Sequence, residues 1–129
     1  MKLDDAQAFA VEWVEAWNAH DLELILSHFG DDATFSSPVV TRIVPDSEGV
    51  IQGKAALRDY WREGLRRIPN LRFEIEGVYV GVEALVINYR NQDDRLVCEV
   101  LFLDGMLVTN GLGAYLDDGH SSGGFATSQ

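Results

Sequence analysis

Aromatic residues recur every four positions near the start of the chain: Phe9, Trp13 and Trp17, with Ala6, Ala10 and Val14 beside them. Four residues is close to one helical turn, so these side chains share a face while Glu12 and Glu15 fall off it. The pattern predicts an amphipathic helix beginning at Asp4 or Asp5. Asn18-Ala19-His20-Asp21 ends it, and Asp21 is placed to cap a second short helix from Leu22 to about His28. A third helix follows Gly53. Leu57, Tyr60, Trp61 and Leu65 form its apolar face, Arg58, Arg62 and Arg66 its wet side, and Pro69-Asn70 its stop.

Elsewhere the pattern favours strands. Residues 33–37 read as a strand stopped by Pro38, residues 39–44 as a further short strand, and residues 45–49 as a loop by composition. Four segments rich in Val, Leu, Tyr and Phe follow, at 71–80, 84–89, 96–103 and 106–116. Gly81, Asn91-Gln92-Asp93-Asp94 and Asp104-Gly105 separate them, and Asp-Gly suits the positive φ angles of a type I′ turn. The Gly-, Ser- and Asp-rich tail from residue 117 to 129 offers little to bury and is expected to be disordered. Tight turns impose antiparallel pairing, and helices can cover one face of the resulting sheet. The expected fold class is α+β: one domain over residues 1–116, with a curved antiparallel sheet packed against three N-terminal helices.

The segment 96–103 is apolar on both faces. Leu96, Cys98, Val100 and Phe102 alternate with Val97, Leu101 and Leu103, and Glu99 is the one charge among them. Helices bury one set. The other set is expected to be an interface, with a homodimer formed through the outer sheet face; the alternative cover is the C-terminal tail. The register decides what surrounds Glu99. With Asp104-Gly105 as a two-residue loop, Glu99 falls opposite Asn110. With Asp93-Asp94 as the preceding loop, it falls opposite Asn88, with Arg90 diagonal to it. Asn88, Arg90 and Asn110 are therefore expected on the face of Glu99, although a one-residue slip reverses the face. A carboxyl among Val, Leu and Phe is costly to bury unpaired. Burial would raise its pKa and suit it to acid–base work, whereas a nearby arginine would lower it. A polar network that merely fixes the register is the competing reading.

Charge and composition narrow the partners. At 129 residues the chain can build its own core without a disulfide or metal. The net charge of −11 argues against nucleic acid and against anionic membranes. A single cysteine, Cys98, allows no internal disulfide and fits a reducing, cytoplasmic setting. Neither a signal peptide nor a membrane span is expected. His20, His28 and His120 are scattered without ligand spacing, so no metal site is expected, and no motif calls for a cofactor.

Three stretches carry a family resemblance: Trp13-Val14-Glu15-Ala16-Trp17-Asn18-Ala19-His20-Asp21-Leu22, Phe29-Gly30-Asp31-Asp32-Ala33-Thr34-Phe35-Ser36-Ser37-Pro38, and Gly53-Lys54-Ala55-Ala56-Leu57-Arg58-Asp59-Tyr60-Trp61, with Leu71-Arg72-Phe73 continuing them. On these the chain resembles the nuclear transport factor 2-like superfamily, in its SnoaL-like and ketosteroid isomerase-like branches. The resemblance implies a cystatin-like cone, a pocket between concave sheet and helices, and frequent homodimers. The isomerase branch uses a helix tyrosine and a sheet acid as an oxyanion hole, with an aspartate before proline as base. Those positions fall here on Trp13, Glu99 and Ser37, and only Glu99 keeps its chemistry. Steroid-type isomerisation by that mechanism is not expected. Trp13, Tyr60 and Trp61 are candidate apolar walls, and Ser37, Asn88, Arg90 and Asn110 candidate polar ones. A ligand-binding or accessory role for a small hydrophobic molecule is favoured, because a second strong acid–base residue is missing. The alternatives are an isomerase, cyclase or hydrolase acting on a carbonyl or polyketide-like compound through Glu99, or a dimeric interaction module.

Overall fold

The computed structural model describes residues 1–117, so nearly all of the tail expected to be disordered, His120 included, lies outside the described residues. Helix α1 spans Leu3–Asn18 and buries Phe9, Ala10, Trp13, Val14 and Trp17 on one stripe. Asp4 and Asp5 lie in its first turn, where negative charge offsets the helix dipole. Its far end is pinned by Asn18, whose side-chain oxygen accepts the Phe73 N–H at 2.7 Å while its amide donates to the Phe73 carbonyl at 2.9 Å. Helix α2, Leu22–Leu26, starts at Asp21, whose carboxylate accepts the Leu24 N–H at 3.1 Å. Helix α4, Lys54–Arg67, follows Gly53 and buries Leu57, Tyr60 and Trp61.

The short strand expected at 39–44 is instead a helix, α3, over Pro38–Ile43. Ser37 caps it by accepting the Val40 N–H at 3.3 Å, and Pro38 occupies the first helical position. A capping serine followed by proline is a helix-start signal that outweighs the strand preference of Val39 and Val40. A 3₁₀ turn over Pro45–Ser47 and a three-residue strand complete the connection to α4.

The six strands are β1 Phe29–Ser36, β2 Val50–Gln52, β3 Glu74–Gly81, β4 Ala84–Arg90, β5 Leu96–Asp104 and β6 Leu107–Tyr115. They form one curved sheet in the order β2-β1-β6-β5-β4-β3. The sheet is not wholly antiparallel, because β1 runs parallel to β6. That pair is joined by the long α3–α4 and β3–β5 excursion, and such connections permit parallel pairing where a tight turn does not. Helices cover the inner face, against Leu85, Ile87 and Tyr89 of β4 and Val97, Leu101 and Leu103 of β5. Among the described residues no helix is long and apolar enough to cross a membrane.

Both hairpin registers differ from the sequence-based expectation. Between β4 and β5, Asn91 pairs with Arg95 across a three-residue loop, with Asp94 at φ 62°. The Asn91 side-chain oxygen holds this loop by accepting the N–H groups of Asp93 and Arg95, both at 3.0 Å. An odd loop in place of the assumed two-residue one slips the register by one, so Glu99 faces Ile87 and Asn88 faces Cys98. Between β5 and β6, Asp104 pairs with Leu107, which makes Gly105-Met106 the turn, with Gly105 at φ 63°. That move alone would preserve the faces. A bulge between Phe102 and Leu103 adds one residue to β6, and Glu99 comes to lie opposite Gly113.

Candidate functional site: an aromatic cavity around Glu99

The inner concavity encloses a cavity with about 730 Å³ of empty volume, its mouth included. The wall is mostly aromatic. Trp13 stacks on Phe73 with centroids 5.8 Å apart, Phe73 meets Tyr89 at 4.1 Å, and Trp17 meets Trp61 edge-on at 5.4 Å. Phe35 links Trp61 to Tyr60, at 5.5 and 6.4 Å. All three tryptophans of the chain line this space. They reach it because α1 presents positions 13 and 17 one turn apart, while α4 brings Trp61 from the opposite wall.

Glu99 lies at the sheet side of the cavity with 6% of its surface exposed. The Tyr89 hydroxyl donates to its Oε1 at 3.0 Å, and Oε2 has no partner. Burial pushes the Glu99 carboxyl up to about 8, against the smaller downward pull of the Tyr89 hydrogen bond. At pH 7 the acid is therefore mainly neutral. Burial likewise pushes the Tyr89 hydroxyl well up, with the neighbouring Glu99 charge adding to it. Tyr60 is raised to about 12 by burial, although its hydrogen bond to Ser37 pulls the other way.

Gly113 determines how closely these groups meet. A Cβ there would lie 3.4 Å from the Ser37 Cβ and 3.5 Å from Glu99 Oε1. Ser37, at the N-terminus of α3, and Glu99, on β5, thus converge above a residue with no side chain. Among the described residues three further buried polar atoms lack partners: Trp13 Nε1, Trp17 Nε1 and Gln92 Oε1. Every one of the four unpartnered atoms belongs to a residue lining this cavity. Buried polar groups are normally paired, so these four atoms leave hydrogen-bonding capacity unused around one apolar space.

The sequence candidates divide into two groups. Trp13, Ser37, Tyr60, Trp61 and Glu99 line the cavity together. Asn88, Arg90 and Asn110 do not, because the two register changes put them on the outer face. Asn88 donates to the Val97 carbonyl at 3.1 Å and to Cys98 Sγ at 3.6 Å. Arg90 pairs with Glu76 and Asp94, and Asn110 accepts the Thr34 hydroxyl at 2.9 Å. Cys98 stands on the face opposite Glu99. His28 is held beneath α1, edge-on to Phe9 at 5.2 Å with Nδ1 3.0 Å from the Leu24 carbonyl, and His20 contacts the Leu71 carbonyl at 2.9 Å. Neither histidine lines the cavity. Among the described residues no group of three His, Cys, Asp or Glu could hold a metal ion.

Sequence reasoning missed Tyr89, Gln92, Phe73 and Gly113. A signal for Tyr89 was present. In residues 84–90 the apolar Leu85, Ile87 and Tyr89 alternate with Asn88 and Arg90, and a helix-covered face selects the apolar set.

The cone of sheet and helices is shared with known proteins. The SnoaL-like domain pattern matches residues 10–100. The chain belongs to the SnoaL-like family. A SnoaL-like protein of unknown function from Burkholderia thailandensis is 40% identical, with a TM-score of 0.85 over 91% of this chain and 99% of its own. More distant structures share the fold alone. A protein of unknown function with cystatin-like fold from Methylobium petroleophilum is 14% identical, with a TM-score of 0.72 over 95% of this chain and 82% of its own. A SnoaL-like family protein from Agrobacterium tumefaciens, provisionally named an isomerase, is also 14% identical, with a TM-score of 0.71 over 89% of this chain and 100% of its own. No curated protein matches the chain. In this SnoaL-like protein the three positions compared in the sequence resemblance, Trp13, Ser37 and Glu99, all line the cavity, and Glu99 is the acid among them.

Proposed function

We propose that this SnoaL-like protein binds a small hydrophobic molecule carrying an oxygen acceptor, such as a flat aromatic ketone, in a ligand-binding or accessory role. The observation that carries this reading is a set of buried polar atoms around one aromatic cavity that lack partners among the described residues: Trp13 Nε1, Trp17 Nε1 and Glu99 Oε2. Two indole N–H groups and a neutral carboxylic acid are hydrogen-bond donors, and a carbonyl oxygen is their natural complement. Aromatic walls supply the apolar contact, while the donors orient the guest. The test is titration with 9-fluorenone, followed through the indole N–H signals of the three tryptophans by NMR. Binding should shift the Trp13 and Trp17 signals. Unchanged signals at a saturating concentration of this ketone would contradict the reading.

A second reading is favoured by one specific feature. A carboxyl raised to about 8 in a mainly aromatic cavity, hydrogen-bonded to Tyr89, is suited to giving or taking a proton near neutral pH. Here Glu99 would act as acid or base on an enolisable carbonyl compound. Ser37, at the base position of the isomerase resemblance, cannot accept a proton at neutral pH, which favours binding over turnover. For any compound found to be turned over, Glu99→Gln should abolish the reaction. A variant that keeps full activity would remove Glu99 from the chemistry.

The outer sheet face bears on assembly. Tyr79 and Phe102 are 61% and 43% exposed there, beside Val100 and Leu112. Such a row supports a homodimer formed through this face. A monomer mass by light scattering at micromolar concentration would contradict it.

A further inference from the structure

Beyond the aromatic cavity lies a second depression, lined by Arg42 and Ile43 of α3 and by Arg67 and Ile68 at the end of α4. Ile43 and Ile68 line both spaces. These two side chains therefore form the threshold between them, and Arg42 and Arg67 stand outside it. The depression, with the open solvent at its mouth included, has about 460 Å³ of empty volume.

Two arginines line this depression although the chain as a whole is acidic. The chain carries −11, yet the last turn of α4 holds Arg66 and Arg67 against one acidic partner, Glu63. Arg66 meets Glu63 through two nitrogens, at 2.8 and 2.7 Å, which matches that carboxylate charge for charge. Arg67 shares the same carboxylate at 2.7 Å and adds a positive charge in excess. Arg42, exposed on the last turn of α3, faces the same depression. Guanidinium groups suit carboxylate and sulfonate oxygens because their N–H donors form a planar fork.

We propose that the ligand is an amphipathic organic anion, whose apolar ring system fills the aromatic cavity while its anionic group rests between Arg42 and Arg67 outside the Ile43–Ile68 threshold. This rests on the cavity reading above and adds the chemical class of the guest. The arrangement sorts ligands by both ends. An uncharged hydrocarbon would leave the donors inside unpaired, and a small inorganic anion would leave the aromatic space unfilled.

A matched pair of probes tests it: 9-fluorenone-2-carboxylate and its uncharged amide, titrated by calorimetry at pH 7 and low ionic strength, with the indole N–H signals reporting cavity occupancy. The carboxylate should bind about fivefold more tightly than the amide, the size of one exposed charge contact. The double variant Arg42→Gln/Arg67→Gln should erase that advantage while holding the amide affinity within about twofold. In the unaltered protein, added NaCl should weaken the carboxylate and leave the amide unchanged, which keeps the test available if the variant does not fold. Equal binding of the two probes, or an advantage that survives both the variant and salt, would overturn the inference and leave the cavity reading standing. If neither probe shifts the indole signals, the cavity reading itself falls and takes the inference with it.

Discussion

Strand β5 presents two faces whose chemistry diverges although the residues alternate along one backbone. The inner row of Val97, Glu99, Leu101 and Leu103 is buried under helices, and its one carboxyl keeps an oxygen without a partner. The outer row of Leu96, Cys98, Val100 and Phe102 is only partly covered, and the polar residues flanking it are bonded: Asn88 to the Val97 carbonyl, Arg90 to Glu76, and Asn110 to Thr34. The difference shows what burial does to a polar group. On the outer face water and neighbours satisfy it, so it remains structural. On the inner face desolvation changes its protonation, and a carboxyl becomes a donor.

The largest effect expected from breaking this comparison is in packing. Leu101 is fully buried, and Leu101→Ala should cost about 2–5 kcal/mol by urea denaturation. Val100→Ala, one residue away on the half-buried outer face, should cost less than about 1.5 kcal/mol. Comparable losses would mean that the two faces are not differently covered in solution.

The next effect is pH dependence. The folded Glu99 carboxyl sits at about 8 against an ordinary value of 4.5, so the folded state binds the extra proton. The stability associated with neutral Glu99 is fully present below about pH 4.5 and is lost as pH rises through about 8. Between these limits the loss is at most about 1.4 kcal/mol per pH unit. The urea midpoint of the unaltered protein should therefore fall between pH 6 and 9 relative to Glu99→Gln. Parallel curves would show that burial does not hold the proton.

Smaller effects sharpen the boundary between the faces. Gly113→Ala places a methyl in ordinary contact with Ser37 and Glu99, so it should change stability by no more than about 1 kcal/mol. The same methyl occupies the point where those side chains converge, and binding of 9-fluorenone should weaken several-fold in a calorimetric titration. Asn88→Ala removes a donor from the outer face. It should cost about 1 kcal/mol in stability and leave 9-fluorenone affinity unchanged.

Much of the fold could be read from periodicity. The Phe9-Trp13-Trp17 stripe gave α1, Asp21 the start of α2, Gly53 and Pro69 the span of α4, and the apolar runs β3 to β6. The α3 segment was misread because Val39 and Val40 resemble strand residues, while the decisive signal lay in the preceding Ser37-Pro38 pair. The cavity was half legible. Residues placed by helix phase or by a strand's own alternation, such as Trp13, Trp61 and Glu99, were assigned to the inside. Residues placed by pairing register are expected there too but do not lie there, because a three-residue loop and a single bulge each shift the count by one. In a sheet, one residue reverses a face, so Asn88, Arg90 and Asn110 moved together to the outside.

Glu99 is a buried acid at the wall of the cavity, held neutral by its burial. The most direct test of this is an NMR pH titration of the glutamate side-chain carboxyl carbons, with Glu99→Gln used to assign the signal. A midpoint near 8 is expected for Glu99. A Glu99 midpoint near 4.5 would contradict it.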